Sequence, residues 1–172
     1  GTQFTSTVSA ASLVITDSTD ATTVQFDGNL NLTTGLTVSD NGAYNISILG
    51  SSNTIAGATT FLNGGTLTLG DDGSATDTIT FSDGVDTNGN STDPALINVA
   101  ATVNTTDAAM DLGDITLTDD SVLDANGGAL TAGNITGTAG EDISIGSTGG
   151  ATNTVSVGTI GTNAANDNIN DV

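Results

Sequence analysis

The chain has 172 residues and carries no lysine, arginine or histidine against 19 aspartates and one glutamate, a formal charge of −20. Binding to a phosphate backbone, which runs on Lys and Arg, is excluded for the chain alone; so is catalysis by an imidazole, an amine side chain or a thiol, since cysteine is absent too. Thr (33), Gly (23), Ala (19), Asn (17) and Ser (15) dominate, with four Phe, one Tyr and no Trp, so a core has to be built from the 36 Val, Ile and Leu.

The start, Gly1-Thr2-Gln3-Phe4, has neither the cationic nor the apolar stretch of a secretion signal. Nowhere do the roughly 18 consecutive apolar residues of a membrane span occur. No run keeps a helical period beyond about two turns. What recurs is a short burst, usually with a hydroxyl or amide residue between two apolar ones. In chain order these are Leu13-Val14-Ile15, Val24-Gln25-Phe26, Leu30-Asn31-Leu32, Leu36-Thr37-Val38, Ile46-Ser47-Ile48 and Thr66-Leu67-Thr68-Leu69. Ile79-Thr80-Phe81, Ile97-Asn98-Val99, Ile115-Thr116-Leu117, Ile143-Ser144-Ile145 and Val155-Ser156-Val157 follow. Period-2 alternation is the mark of a strand with one buried and one wet face. Between the bursts lie turn signals: Asp27-Gly28, Asn41-Gly42, Asn63-Gly64-Gly65, Asp83-Gly84, Asn88-Gly89 and Asn126-Gly127-Gly128. The fold class is all-β.

Strands of three to five residues are short for a sandwich, where about five or six is usual. A narrow parallel β-helix or β-solenoid, by contrast, fills its interior with stacked Val, Ile, Leu, Thr and Ala. Weak self-similarity points the same way: Gly64–Asp72 resembles Gly113–Asp120, and Gly28–Thr33 resembles Gly133–Thr138. About seven short coils of roughly 20–25 residues are expected, in a rod of ~35 Å, with residues 1–172 as a single β-solenoid domain or one segment of a longer fibre. Pro94 places a loop at Asn90–Pro94, since proline cannot donate in a ladder. The alternative fold is a β-sandwich, pilin-like subunit completed by a donated strand such as Ser9–Ile15.

The run Thr59-Thr60-Phe61-Leu62-Asn63-Gly64-Gly65-Thr66-Leu67-Thr68-Leu69-Gly70-Asp71-Asp72, followed by Asp77-Thr78-Ile79-Thr80-Phe81, resembles repeat units of filamentous-haemagglutinin-like, autotransporter-like bacterial surface adhesins. Ile97–Thr106 and Ala109–Leu117 look like further turns of such a unit, and the resemblance spans about 30–138. Phage tail-fibre segments are similar in sequence. The resemblance implies a β-solenoid stalk or fibre at the cell surface or outside the cell, without enzymatic activity, and it supplies no catalytic residues.

The residues themselves offer three kinds of site. Calcium wants several oxygens, and Asp83, Asp86, Asn88, Asn90 and Asp93 form the richest oxygen-bearing stretch. Asp86, Asn88 and Asn90 have the alternating spacing of an EF-hand-like loop, but Ser91 stands where Gly is expected and Ile97 where a bidentate Glu is. The pairs Asp71-Asp72 and Asp119-Asp120 invite comparison with glycosidase carboxylates, yet adjacent residues point apart and cannot straddle one bond. Five Asn-x-Ser/Thr sequons begin at Asn31, Asn45, Asn90, Asn104 and Asn134, with Asn90 the best placed for a glycan. Asn53, Asn98 and Asn104 are candidates for amide stacking between coils.

The third site is the pair of rod ends. A solenoid without capping elements exposes strand edges that template another strand, and no capping helix is visible at either terminus. Leu13, Val14 and Ile15 at one end and Val155 and Val157 at the other are therefore candidates for end-to-end assembly, the main partner being other copies of the chain and a second class surface glycans. The expected function is a structural, self-assembling segment of an extracellular bacterial filament or adhesin.

Overall fold

The computed structural model describes residues 1–16, 20–72, 76–137, 140–146 and 154–161, and among these there is no helix. The strands come in seven rungs. β1 (Thr2–Phe4) and β2 (Val8–Ile15) form the first, β3 (Thr23–Phe26) and β4 (Leu30–Val38) the second. The third holds β5 (Asn45–Ile48), β6 (Ser52–Ile55) and β7 (Thr59–Thr60); the fourth β8 (Thr66–Leu69), β9 (Thr78–Phe81) and β10 (Val85–Asp86). β11 (Leu96–Val99), β12 (Thr102–Thr105) and β13 (Met110–Leu112) make the fifth, and β14 (Ile115–Leu117), β15 (Ser121–Asp124) and β16 (Leu130–Ala132) the sixth. β17 (Ile135–Gly137), β18 (Ile143–Gly146) and β19 (Val155–Val157) complete the series.

Strands in equivalent positions stack into three parallel sheets: β1-β3-β5-β8-β11-β14-β17, β2-β4-β6-β9-β12-β15-β18 and β7-β10-β13-β16-β19. The fold is a parallel β-solenoid, and the sandwich is set aside: antiparallel hairpins are absent among the described residues. The chain makes about six turns rather than the expected seven. The last turn closes only through the Ile135–Ile160 bridge, after which the chain passes beyond the described residues. Coil length, read from successive partners in the first sheet, runs from 18 residues (Ile97 to Ile115) to 30 (Leu67 to Ile97). At ~4.8 Å per rung the six steps make a rod about 30 Å long.

Alternation decides what faces the axis. Leu67 and Leu69, like Ile115 and Leu117, are buried, while Thr66, Thr68 and Thr116 lie half-buried on the outer face and Thr118 is exposed. Register stacks Val24, Ile46, Leu67, Ile97, Ile115 and Ile135 into one internal column and Phe26, Ile48, Leu69, Val99 and Leu117 into its neighbour. The few aromatics add bulk to the core: Phe61 and Phe81 pack edge to face at 5.9 Å, and Tyr44 is fully buried with its hydroxyl donating to the Ser39 carbonyl at 2.8 Å. The first two rungs have no strand in the third sheet. Instead β2 and β4 run on around the corner through a register shift between Ala10 and Ser12, keeping Leu13 over Leu36 and Ile15 over Val38.

The corners explain the Asn and Asp content. Where a backbone ladder is interrupted, a side-chain oxygen of one coil accepts an N–H of the next. Asn45 Oδ1 accepts from Thr66 N–H at 2.8 Å, Asp114 Oδ1 from Asn134 N–H at 2.7 Å, Asp120 Oδ1 from Asp142 N–H at 2.8 Å and Asn134 Oδ1 from Thr159 N–H at 3.0 Å. These side chains link coils rather than forming amide ladders. Asn98 stands between Thr68 and Thr116, and Asn104 between Thr80 and Asp124, so neither stacks on another amide. Asn53 is buried and serves the backbone: its Oδ1 accepts the Leu30 N–H at 2.9 Å and its Nδ2 donates to the carbonyls of Gly50 and Thr78.

Candidate functional site

The two ends of the rod differ from its middle. Among the described residues β1 and β2 each pair on one side only, as do β18 and β19. Internal columns that are fully buried between coils become half-buried here: Phe4, Val8 and Leu13 at one end, Ile145, Val157 and Ile160 at the other. Phe4 stacks flat on Phe26, with ring centroids 4.9 Å apart, and a depression of about 170 Å³ opens between Thr2, Phe4, Leu13, Ile15, Val24 and Phe26. At the far end Val155 continues the buried column Val85–Met110–Leu130, yet is 45% exposed because no described rung covers it. Ile15 is buried and Leu13 points inward, but Val14 lies over Thr37 on the outer face and is 55% exposed. Of the first trio, Leu13 is thus the inward residue that the end rung leaves half-covered. The terminal segment 162–172, where a cap was sought, lies outside the described residues.

The oxygen-rich loop is ordered by its own hydrogen bonds. Asp86 Oδ1 accepts from the Asn88 N–H at 3.0 Å; Asp93 accepts from the N–H groups of Gly89 at 2.9 Å and Asn90 at 3.0 Å. The Asn90 amide then spans the two acids, with Nδ2 donating to Asp86 Oδ1 at 3.0 Å and to Asp93 Oδ1 at 3.1 Å. A donor, not an acceptor, lies between the carboxylates. Asn88 turns away toward Asp111, at 3.4 Å, and Asp83 sits at the opposite end of β10. A cation there would have to displace the Asn90 amide, and among the described residues no group of three or more acidic side chains could hold a metal ion. Rather than bulging freely, the loop reaches back along the rod: Ser91 donates to Asp40 Oδ2 at 2.7 Å, two coils earlier. Hydrogen bonds from Thr92 and then Ser91 hold the Asp40 carboxyl below the usual carboxylate range, against a smaller opposing effect of desolvation.

The outer sheet faces carry hydroxyls and amides. One shallow depression, of about 380 Å³, crosses three rungs of the first sheet over Leu96, Asp114, Thr116, Asn134 and Thr136; Leu96 is 42% exposed in it. Among the sequons, Asn45, Asn90 and Asn134 have their amides engaged in the corner and loop bonds above, while Asn31 and Asn104 lie half-buried on the outer face of the second sheet. Asp71, Asp72, Asp119 and Asp120 line one corner with Asp27, and Asp77, which pattern reading passed over, is buried beside them. The available signal was its place one residue ahead of a strand, where other Asx residues of the chain bind backbone. No protein-family model, curated protein or solved structure matches this chain.

Proposed function

We propose that the chain is a structural segment of an extracellular bacterial fibre or adhesin stalk, joined end to end to further copies through its open strand edges. The observation that supports this reading most directly is the pair of half-covered end rungs. Among the described residues the outer edges of these rungs present backbone N–H and C=O groups together with core side chains, and another rung would satisfy both at about 25 cal/mol per Å² of apolar area. A head-to-tail contact of this kind propagates as a filament. The acid-only composition gives the rod no lysine or arginine for trypsin-like proteases, which suits an exported position. It also opposes association, so assembly should need salt, calcium or a pH lowered toward the calculated pI of about 4.1.

Electron microscopy and sedimentation of the chain at high concentration with calcium test the reading. Filaments are expected for wild type and for Thr68→Asp, on an outer face, and their loss for Leu13→Asp and Val155→Asp, with the central coils still folded by circular dichroism. Wild type that stays monomeric overturns self-assembly and leaves a stalk segment whose neighbours belong to the same polypeptide. A second reading, a glycan-binding adhesin or tail-fibre module, draws on the depression around Leu96, where an apolar side chain is ringed by hydroxyl, amide and carboxylate groups. A glycan array with Leu96→Asp as control decides it.

A further inference from the structure

The last rung ends unevenly. Among the described residues β18 and β19 have no further partner, but β17 does: the chain leaves β19 and lays residues 158–161 along its outer edge. Backbone groups make the seat. The Gly158 N–H donates to the carbonyls of Ala132 and Gly133, each at 3.1 Å; the Ile135 N–H donates to the Thr159 carbonyl at 2.9 Å, and the Gly161 N–H returns to the Ile135 carbonyl at 2.9 Å. The Thr159 N–H adds a bond to Asn134 Oδ1 at 3.0 Å. Ile160 thereby continues the internal column Val24–Ile46–Leu67–Ile97–Ile115–Ile135, half-buried beside Leu117 and Ile143.

At the opposite end the same column reaches one rung below Val24, to Thr2 of β1. A second copy that continued the winding would set its Thr2, Gln3 and Phe4 over Ile135, Thr136 and Gly137, and its Val8 over Ile145. Thr2 of that copy and Ile160 of this one thus compete for a single place on Ile135. With residues 159–161 seated, an incoming β1 lands one rung too high. Its β2 is then held about 10 Å from β18, twice the ~4.8 Å strand spacing and too far for a ladder bond.

We propose that residues 159–161 are a built-in block on elongation, a stand-in strand that β1 of a second copy must displace before the two rods join. The inference rests on the head-to-tail reading above and adds its regulation. What is displaced is small: an isolated bridge with two ladder bonds and one half-buried isoleucine. What replaces it is the three-residue pairing of β1, with the edges of β18 and β19 covered in the same step. The fraction of chains with β17 bare therefore scales the apparent affinity of one rod for the next. Ile160 acquires a sign opposite to that of the other half-covered end residues. Although apolar and at the tip of the rod, it competes with the contact instead of making it.

Elongation of the intact chain in calcium, followed by light scattering, tests this with two variants whose folding is checked by circular dichroism. Ile160→Ser loosens the seat and should speed elongation by roughly three- to tenfold. Asn134→Cys combined with Thr159→Cys ties the segment to the start of β17 in a chain that has no cysteine of its own. Oxidised, this double variant should stop elongating; reduced, it should elongate at least as fast as wild type. Slower elongation of Ile160→Ser would make Ile160 part of the contact and overturn the block. Equal elongation of the oxidised and reduced double variant would overturn it too, and either result leaves head-to-tail joining in place. Wild type and Ile160→Ser that both stay monomeric would instead sink the head-to-tail reading, and the block with it.

Discussion

Single side chains tie successive coils of this rod together where the backbone ladder is interrupted. Asn53 shows the principle: it takes an internal position whose column neighbour is Ile79, yet it is retained because three backbone groups depend on its amide. Replacing it with the apolar Leu would bury the Leu30 N–H and the Gly50 carbonyl without partners, at a cost of about 1–3 kcal/mol each before relaxation. Asn53→Leu should therefore lower the urea midpoint despite its better match to the column, whereas Asn98→Leu, on the outer face, should change it little. None of this was legible beforehand. An Asn that serves backbone groups and an outward Asn look the same in a sequence, because the difference lies in what a neighbouring coil presents some 20 residues away, as Leu30 does to Asn53.

At the level of elements, what could be read was what depends on near neighbours. Alternation in Thr66–Leu69 and Ile115–Leu117 placed those strands and their inward faces. Glycines 42, 84, 89 and 127, all from the expected turns, do adopt positive φ. The short strands of the third sheet, Thr59–Thr60 and Val85–Asp86, escaped notice because two residues cannot show a period. The long β2 and β4 were seen only in fragments because a bulge resets their alternation. One glycine outside the expected turns, Gly70, has φ of +78°, and a Cβ there would press on the Ala100 carbonyl oxygen of the next coil. Gly70→Ala should cost about 1–2 kcal/mol from the backbone alone, with more from the contact. Urea unfolding should show a drop in stability larger than that of Gly89→Ala, where the φ is equally positive, +77°, but the space is open.

For the whole molecule, charge is the dominant long-range term and has one sign. A surface with ion pairs can lose stability when salt is added, but this chain has no basic side chain to pair. Added salt should thus raise the unfolding midpoint monotonically as the screening length falls from about 30 Å at 0.01 M to about 3 Å at 1 M. A midpoint that falls or stays flat over that range would show that repulsion among the 20 acids is not what limits stability. Composition announced this property plainly. It could not show where the acids gather, since the ridge through Asp27, Asp71 and Asp119 joins residues more than 40 positions apart, brought to one corner only by the winding of the chain.

The winding also fixes how the rod would carry a load. Its inter-coil hydrogen bonds run along the long axis, so tension applied between the ends falls on three sheets of bonds in parallel, one rung boundary at a time. Such a rod is stiff until one boundary gives way. It then lengthens in discrete increments of a single coil, roughly 60–100 Å for coils of 18 to 30 residues, as a stretching trace on one molecule would display. A tether of this design yields by lengthening stepwise, and the coils still wound keep their shape while the released one takes up the slack.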